Sequence, residues 1–140
     1  MIRIVISGCN GRMGRVVDAL CREDPQVEVA AGFDVLGQGD QLPYPVFSSP
    51  AQFTGEADAV IDFSHPAALD GLLDFSVSRH IPLVLATTGY SPEQLAQIGA
   101  AAREVPIFRS ANMSLGINVV IELVKKAASI LGDRYDIEIV

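Results

Sequence analysis

Residues 2–14 read IRIVISGCNGRMG, and the fold follows from how that stretch divides. From Ile2 to Ser7 it is apolar at almost every position, the pattern of a strand covered on both faces. Glycines then stand at 8, 11 and 14, directly before a run in which Met13, Val16, Val17, Leu20 and Cys21 follow helical spacing. Strand, glycine turn and helix together open a βαβ unit. A GxxGxxG run means little alone, but in this context it has a physical reading. Glycine accepts positive φ and lets backbone amides approach a pyrophosphate, while the helix N-terminus supplies partial positive charge. Arg12 and Arg15 sit where the helix dipole disfavours cations. A bound phosphate reconciles both with it.

Working outward, the alternation continues. Strands are expected at Val27 to Phe33, near Val46, at Ala59 to Phe63, at Leu83 to Ala86 and at Ile107 to Ser110. A helix from about Pro66 to Arg79 buries Leu69, Leu72, Leu73 and Val77. Ser91, Pro92 and Gln94 spell an N-cap, a first-turn proline and a capping box, with Tyr90 and Leu95 placed as a hydrophobic staple. A long helix reaches Leu131, apolar at Ile117, Val120, Ile121, Val124 and Ala128, and stops at Gly132. Strands alternating with helices predict an α/β domain, a doubly wound parallel sheet of Rossmann-like type. The end differs in kind: Tyr135, Ile137 and Ile139 alternate with Asp136 and Glu138. That period of two predicts, over residues 135–140, the first strand of a missing second α+β domain. The expected division is therefore 1–116, a dinucleotide-binding domain, and 117–140, a connecting helix plus that strand.

Composition narrows the function. With 49% hydrophobic and 19% charged residues the chain is ordinary globular material. A net charge of −7 argues against nucleic acid and anionic membranes. The start lacks the features of a signal peptide, and no stretch approaches the roughly 18 apolar residues of a membrane span. Cys9 and Cys21 have neither CxxC spacing nor histidine partners, so no metal site is expected. A reduced, cytoplasmic setting follows.

Ligands of parallel sheets bind beyond the strands' carboxyl ends. Asp34 ends the second strand, where an acid bonds the adenosine ribose; the plainer reading is an aspartate opening a turn before Gly37. Asp62 suits burial at a strand end, and Ser64 or His65 suits a helix cap better than catalysis. His80 suits a helix terminus. Ala86, Thr87, Thr88 and Gly89 offer hydroxyls at the next strand end, and Ser110 to Gly116 offers small polar residues with Asn112 or Ser114 as cap.

Taken in order, GCNGRMG, GFD, VIDFSHP, ATTGY, SANMSLGIN and DIEIV resemble the dihydrodipicolinate reductase family over all 140 residues. The resemblance implies that Gly8, Cys9, Asn10, Gly11, Arg12 and Met13 cradle the pyrophosphate of NADH or NADPH, and that Asp34 takes the ribose. It implies that Phe63 packs against the ring, that Ala86, Thr87 and Thr88 line the nicotinamide side, and that Ser110, Ala111, Asn112 and Met113 hold the carboxamide end. Thr88 also nears the substrate carboxylate. Two departures are mild: Ala86 stands where glycine is frequent and Met113 where phenylalanine is. A third bears on the cofactor. Val35 stands where relatives carry a basic residue, so NADH is expected to bind at least as well as NADPH.

The implied reaction reduces 4-hydroxy-tetrahydrodipicolinate to tetrahydrodipicolinate in lysine and diaminopimelate biosynthesis, and the family is tetrameric. Its proton donor and carboxylate clamp belong to a histidine pair with a lysine and to a serine-glycine-threonine stretch, all beyond DIEIV. No catalytic residue is therefore expected within this chain, which would bind cofactor only. Two other readings share Gly8 to Gly14 and Asp34: a split-domain aspartate or homoserine dehydrogenase, and a non-catalytic NAD(H)-binding module. The dehydrogenase reading gives no reason for SANMSLGIN followed by DIEIV.

Overall fold

The computed structural model describes residues 1–37 and 42–138. Among the described residues six strands form one sheet: β1 (Ile2–Ser7), β2 (Val27–Phe33), β3 (Val46–Phe47), β4 (Ala59–Asp62), β5 (Leu83–Leu85) and β6 (Ile107–Arg109). Four α-helices accompany them: α1 (Arg12–Glu23), α2 (Leu69–Arg79), α3 (Pro92–Ala101) and α4 (Leu115–Leu131). The sheet order is β3-β2-β1-β4-β5-β6, every pairing parallel. Chain order reverses between β1 and β4, so the crevice at their carboxyl ends is the topological switch point.

Two apolar layers hold the sheet. On one face Val5, Val60, Leu83 and Leu85 pack with Leu69, Leu72 and Phe75 of α2 and Ile98 of α3. Phe33 meets Phe75 edge-on at 5.4 Å between ring centres and Phe53 at 6.1 Å, and the Arg79 guanidinium lies 5.0 Å over the Phe75 ring. On the other face Ile4, Ile6 and Cys9 pack under Val17 and Cys21 of α1. Full burial of a side chain such as Leu72 is worth about 1.5–3 kcal/mol, so these layers carry the fold.

The helix signals hold in detail. Ser91 accepts from the Gln94 amide while the Gln94 side chain accepts from the Ser91 amide, and His65 Nδ1 caps the short turn at Pro66–Ala68. His80 ends α2 in the left-handed region. Tyr90 packs against the core and donates its hydroxyl to buried Asp62, while Leu95 stays 39% exposed.

The carboxyl end differs from the rest of the chain. The apolar positions of α4 are not buried; Val120 and Val124 are about half exposed, and no residue of the helix is fully covered. Asn118, Glu122, Lys125, Lys126 and Ser129 form one polar stripe, leaving most of the helix surface apolar, the composition of a helix meant to be surrounded. Residues 135–138 form no strand, since no neighbouring strand offers them a ladder; Ile139 and Val140 lie outside the described residues.

Candidate functional site

The glycine loop is shaped by backbone collisions. Gly8 has φ of 77°, and a Cβ there would sit 2.7 Å from the Phe63 carbonyl oxygen. At Gly14 a Cβ would lie 2.1 Å from the Gly8 carbonyl oxygen and 2.8 Å from Cys9 Cα, so α1 packs straight onto the loop. Gly11 is the N-cap of α1 and brings no side-chain oxygen, and the first turn holds no acid. The leading amides of α1 are therefore uncapped by side chains, the arrangement that suits an anion.

Asp34 takes the turn of its plainer reading and also reaches the glycine loop. It opens the turn, since the Leu36 amide donates to its Oδ1 at 3.1 Å and the Gly37 amide to its carbonyl at 2.9 Å. Its Oδ2 accepts from the Asn10 amide at 3.1 Å, tying the end of β2 to the glycine loop. Asn10 Nδ2 donates to the Gly37 carbonyl, which locks the same corner. Of the two arginines, Arg15 donates to the Asn10 carbonyl at 3.2 Å and so is engaged locally, while Arg12 is exposed. Cys9 is wholly buried, its thiol against Gly32 and pushed up to about 11 by burial and then by the Asp34 charge; only its backbone faces the loop.

Between these elements lies a cavity of about 430 Å³ lined by Gly8, Gly11, Asp34, Val35 and Phe63. Ser64, singled out only as a helix cap, lines it too, as do Ser48, Pro50, Ala67 and Ala68, none of which stood out in the sequence. Small residues in a loop and a short turn carry no signal of their own; only the parallel sheet brings them beside the glycine loop. A larger open groove of about 1180 Å³ runs along α2 and α3 past Asp70, Asp74 and Glu104. It contains none of the strand-end loops and is not the candidate site.

The remaining predicted residues occupy the next strand ends along the same edge. The Ala86 amide donates to the Asp62 carbonyl at 2.9 Å, and the Ser110 amide to the Leu85 carbonyl at 3.1 Å. Thr87 is buried and Thr88 exposed. Ser110 Oγ donates to the Asn112 carbonyl, and Asn112 Oδ1 accepts from the Ser114 amide, so this loop closes on itself before α4. Ala111, Asn112 and Met113 are exposed and stand outside the 430 Å³ cavity, as do Ala86, Thr87 and Thr88.

This site geometry coincides with kinship. Residues 2–113 match the family described as dihydrodipicolinate reductase, N-terminus. Among curated relatives, the 4-hydroxy-tetrahydrodipicolinate reductase of Caldanaerobacter subterraneus subsp. tengcongensis is 52% identical over the whole chain, and that of Clostridium novyi is 41% identical. The chain spans 55% of the length of each. A dipicolinate-bound dihydrodipicolinate reductase from a Paenisporosarcina species superposes with a TM-score of 0.78 over 92% of this chain and 54% of that one, at 22% identity. A myo-inositol dehydrogenase from Corynebacterium glutamicum gives 0.68 over 95% of this chain and 43% of its own, at 20% identity, a likeness of fold alone. The chain belongs to the dihydrodipicolinate reductase family and corresponds to its N-terminal part.

Proposed function

We propose that residues 1–116 are the dinucleotide-binding domain of an NAD(P)H-dependent reductase acting on 4-hydroxy-tetrahydrodipicolinate, in lysine and diaminopimelate biosynthesis. The observation that carries this reading is the cradle at the switch point: a side-chain-free loop at Gly8, Gly11 and Gly14, beside a cavity that Asp34 borders. When bound, the dinucleotide supplies a hydride. The chain's own residues bind and orient it. The amides of Gly8 to Met13 face the pyrophosphate, Asp34 the adenosine ribose, and Phe63 packs on the ring. Ala86, Thr87 and Thr88 face the nicotinamide half, Thr88 with a further contact to a substrate carboxylate, and Ser110 to Met113 hold the carboxamide end.

Residues 117–140 form the link to a second domain that carries the proton donor and the grip on the small dicarboxylate. The apolar surface of α4 supports this, because such a helix needs cover on most sides. The 140-residue chain therefore binds cofactor without turning over substrate, and the longer protein assembles as a cytoplasmic homo-oligomer, a tetramer. Asp34 repels a 2′-phosphate and Val35 provides no guanidinium to offset that, so NADH binds at least as well as NADPH.

The test compares this chain with one extended to the length of its relatives. The extended chain should reduce the substrate with either cofactor, NADH no worse than NADPH. The 140-residue chain should stay below about a hundredth of that rate, given the usual worth of general acid catalysis. Turnover above that level would place the chemistry within these residues, and clearly tighter NADPH binding would overturn the role of Asp34.

A further inference from the structure

Between β4 and β5 stands a group of side chains that the cofactor cradle does not use. Asp62, at the end of β4, is completely buried. Its Oδ1 accepts from the Ser64 hydroxyl at 2.5 Å and the Ser64 amide at 3.2 Å, and its Oδ2 accepts from the Tyr90 hydroxyl at 3.3 Å. Ser64 lines the 430 Å³ cavity, whereas Tyr90 follows the turn of residues 86–89, so one carboxylate joins the two halves of the sheet edge. Burial, and then the Asp62 charge, push the Tyr90 hydroxyl well above its ordinary value, which keeps it protonated and donating. The Thr87 hydroxyl and Arg109 act the other way on it.

The turn itself is held lightly. Gly89 has φ of 83° with open space around it, while the Ala86 amide fixes one end and the Ser91 capping box the other. Inside it, Thr87 is 6% exposed and its Oγ1 has no hydrogen bond of ordinary geometry among the described residues, even though the Tyr90 hydroxyl is close by. A buried hydroxyl left unpaired costs stability, and such groups call for an explanation in function.

We propose that Tyr90 is a positioning residue for the nicotinamide half of a bound dinucleotide: anchored on buried Asp62, it fixes the turn of residues 87–89 so that the unpaired Thr87 hydroxyl meets the cofactor. This rests on the reading of residues 86–88 as the nicotinamide side, and the test separates the two claims. NADH and ADP-ribose, which lacks the nicotinamide, are titrated against the chain and its variants. Binding of both by the unaltered chain establishes the dinucleotide site independently of Tyr90, and binding of neither overturns that site and the proposal with it. Tyr90→Phe should weaken NADH roughly three- to tenfold, the worth of one hydrogen bond, and shift the emission of bound NADH, with ADP-ribose affinity unchanged. Thr87→Val serves where Tyr90→Phe does not fold. It should weaken NADH alone while melting temperature holds or rises, because an unpaired buried hydroxyl is removed at nearly constant volume. Equal loss for both ligands would make Tyr90 a general brace of the edge, and no loss for either would make the contact incidental; each result overturns the proposal.

Discussion

Helices α1 and α4 both follow a strand and a small-residue loop, yet one is built into the sheet and the other stands clear of it. α1 meets the chain at Gly14, Val17 and Cys21, and its first turn touches backbone. α4 carries more apolar side chains than α1 but leaves all of them except Ala128 exposed, whereas α1 buries Gly14 and Asp18 and half-buries Val17 and Cys21. Hydrophobic periodicity thus says that a helix wants a partner, while close packing of backbone on backbone says where the partner is. The sheet is unfinished on the same grounds. Ile61, Val84 and Phe108 are register neighbours across β4, β5 and β6, opposite to the face that α2 and α3 cover, and Phe108 is 60% exposed.

One substitution made in both helices gives the largest contrast. Gly14→Ala drives a methyl into backbone that cannot yield and should cost about 3 kcal/mol, the upper range for overpacking. Gly116→Ala meets nothing closer than Ser114 Oγ at 3.9 Å and should stabilise α4 by up to about 1 kcal/mol. Urea midpoints with unchanged m-values measure both. Equal effects would erase the distinction between the helices.

Asp34→Ala sharpens the picture on the α1 side. It should weaken NADH by about 1–3 kcal/mol, as for a hydrogen bond to a charged group. It should also lower the melting temperature of the free chain, because the carboxylate ties the Asn10 amide. Calorimetric titration and thermal melting read the two effects. Unchanged affinity with reduced stability would make Asp34 purely structural.

The tie from Asp34 to the Asn10 amide marks the limit of what could be read from sequence. The glycine spacing, the strand-helix alternation and the caps at Ser91 and His65 are local patterns and were legible. So was Asp34, by its place at a strand end. Ser48, Pro50, Ala67 and Ala68 became neighbours of the glycine loop only through long-range sheet pairing, which composition does not encode. The engagement of Arg15 with the Asn10 carbonyl, and of Tyr90 with Asp62, required three-dimensional proximity that spacing could not supply. Residues 135–140, expected to open a second sheet, illustrate the converse: alternation records a preference, and a strand needs a neighbour to pair with.

A pH series gives a smaller effect, beginning on the β1–α1 side. The folded Cys9 thiol is raised from 9.0 to about 11, whereas the unfolded thiol ionises near its ordinary value. Its contribution is therefore full below about pH 9 and is lost as pH rises through about 11. Tyr44 and Tyr90, both raised chiefly by burial, extend the loss to higher pH. Urea midpoints across that range should fall for the unaltered chain and fall less steeply for Cys9→Ala; parallel slopes would show that Cys9 is not the source. Smallest of all, Val120→Gln or Val124→Gln on α4 should change stability by less than about 0.5 kcal/mol, as at exposed sites. A loss several times larger would mean that α4 is packed within this chain.

The central claim is that the switch-point edge of this sheet, unaided by any further domain, holds a nicotinamide dinucleotide. Calorimetric titration of NADH into the 140-residue chain tests it most directly. The expected result is saturable one-to-one binding that Asp34→Ala weakens. A folded chain that shows no saturation by about 1 mM NADH, equivalent to less than about 4 kcal/mol of binding, would contradict it.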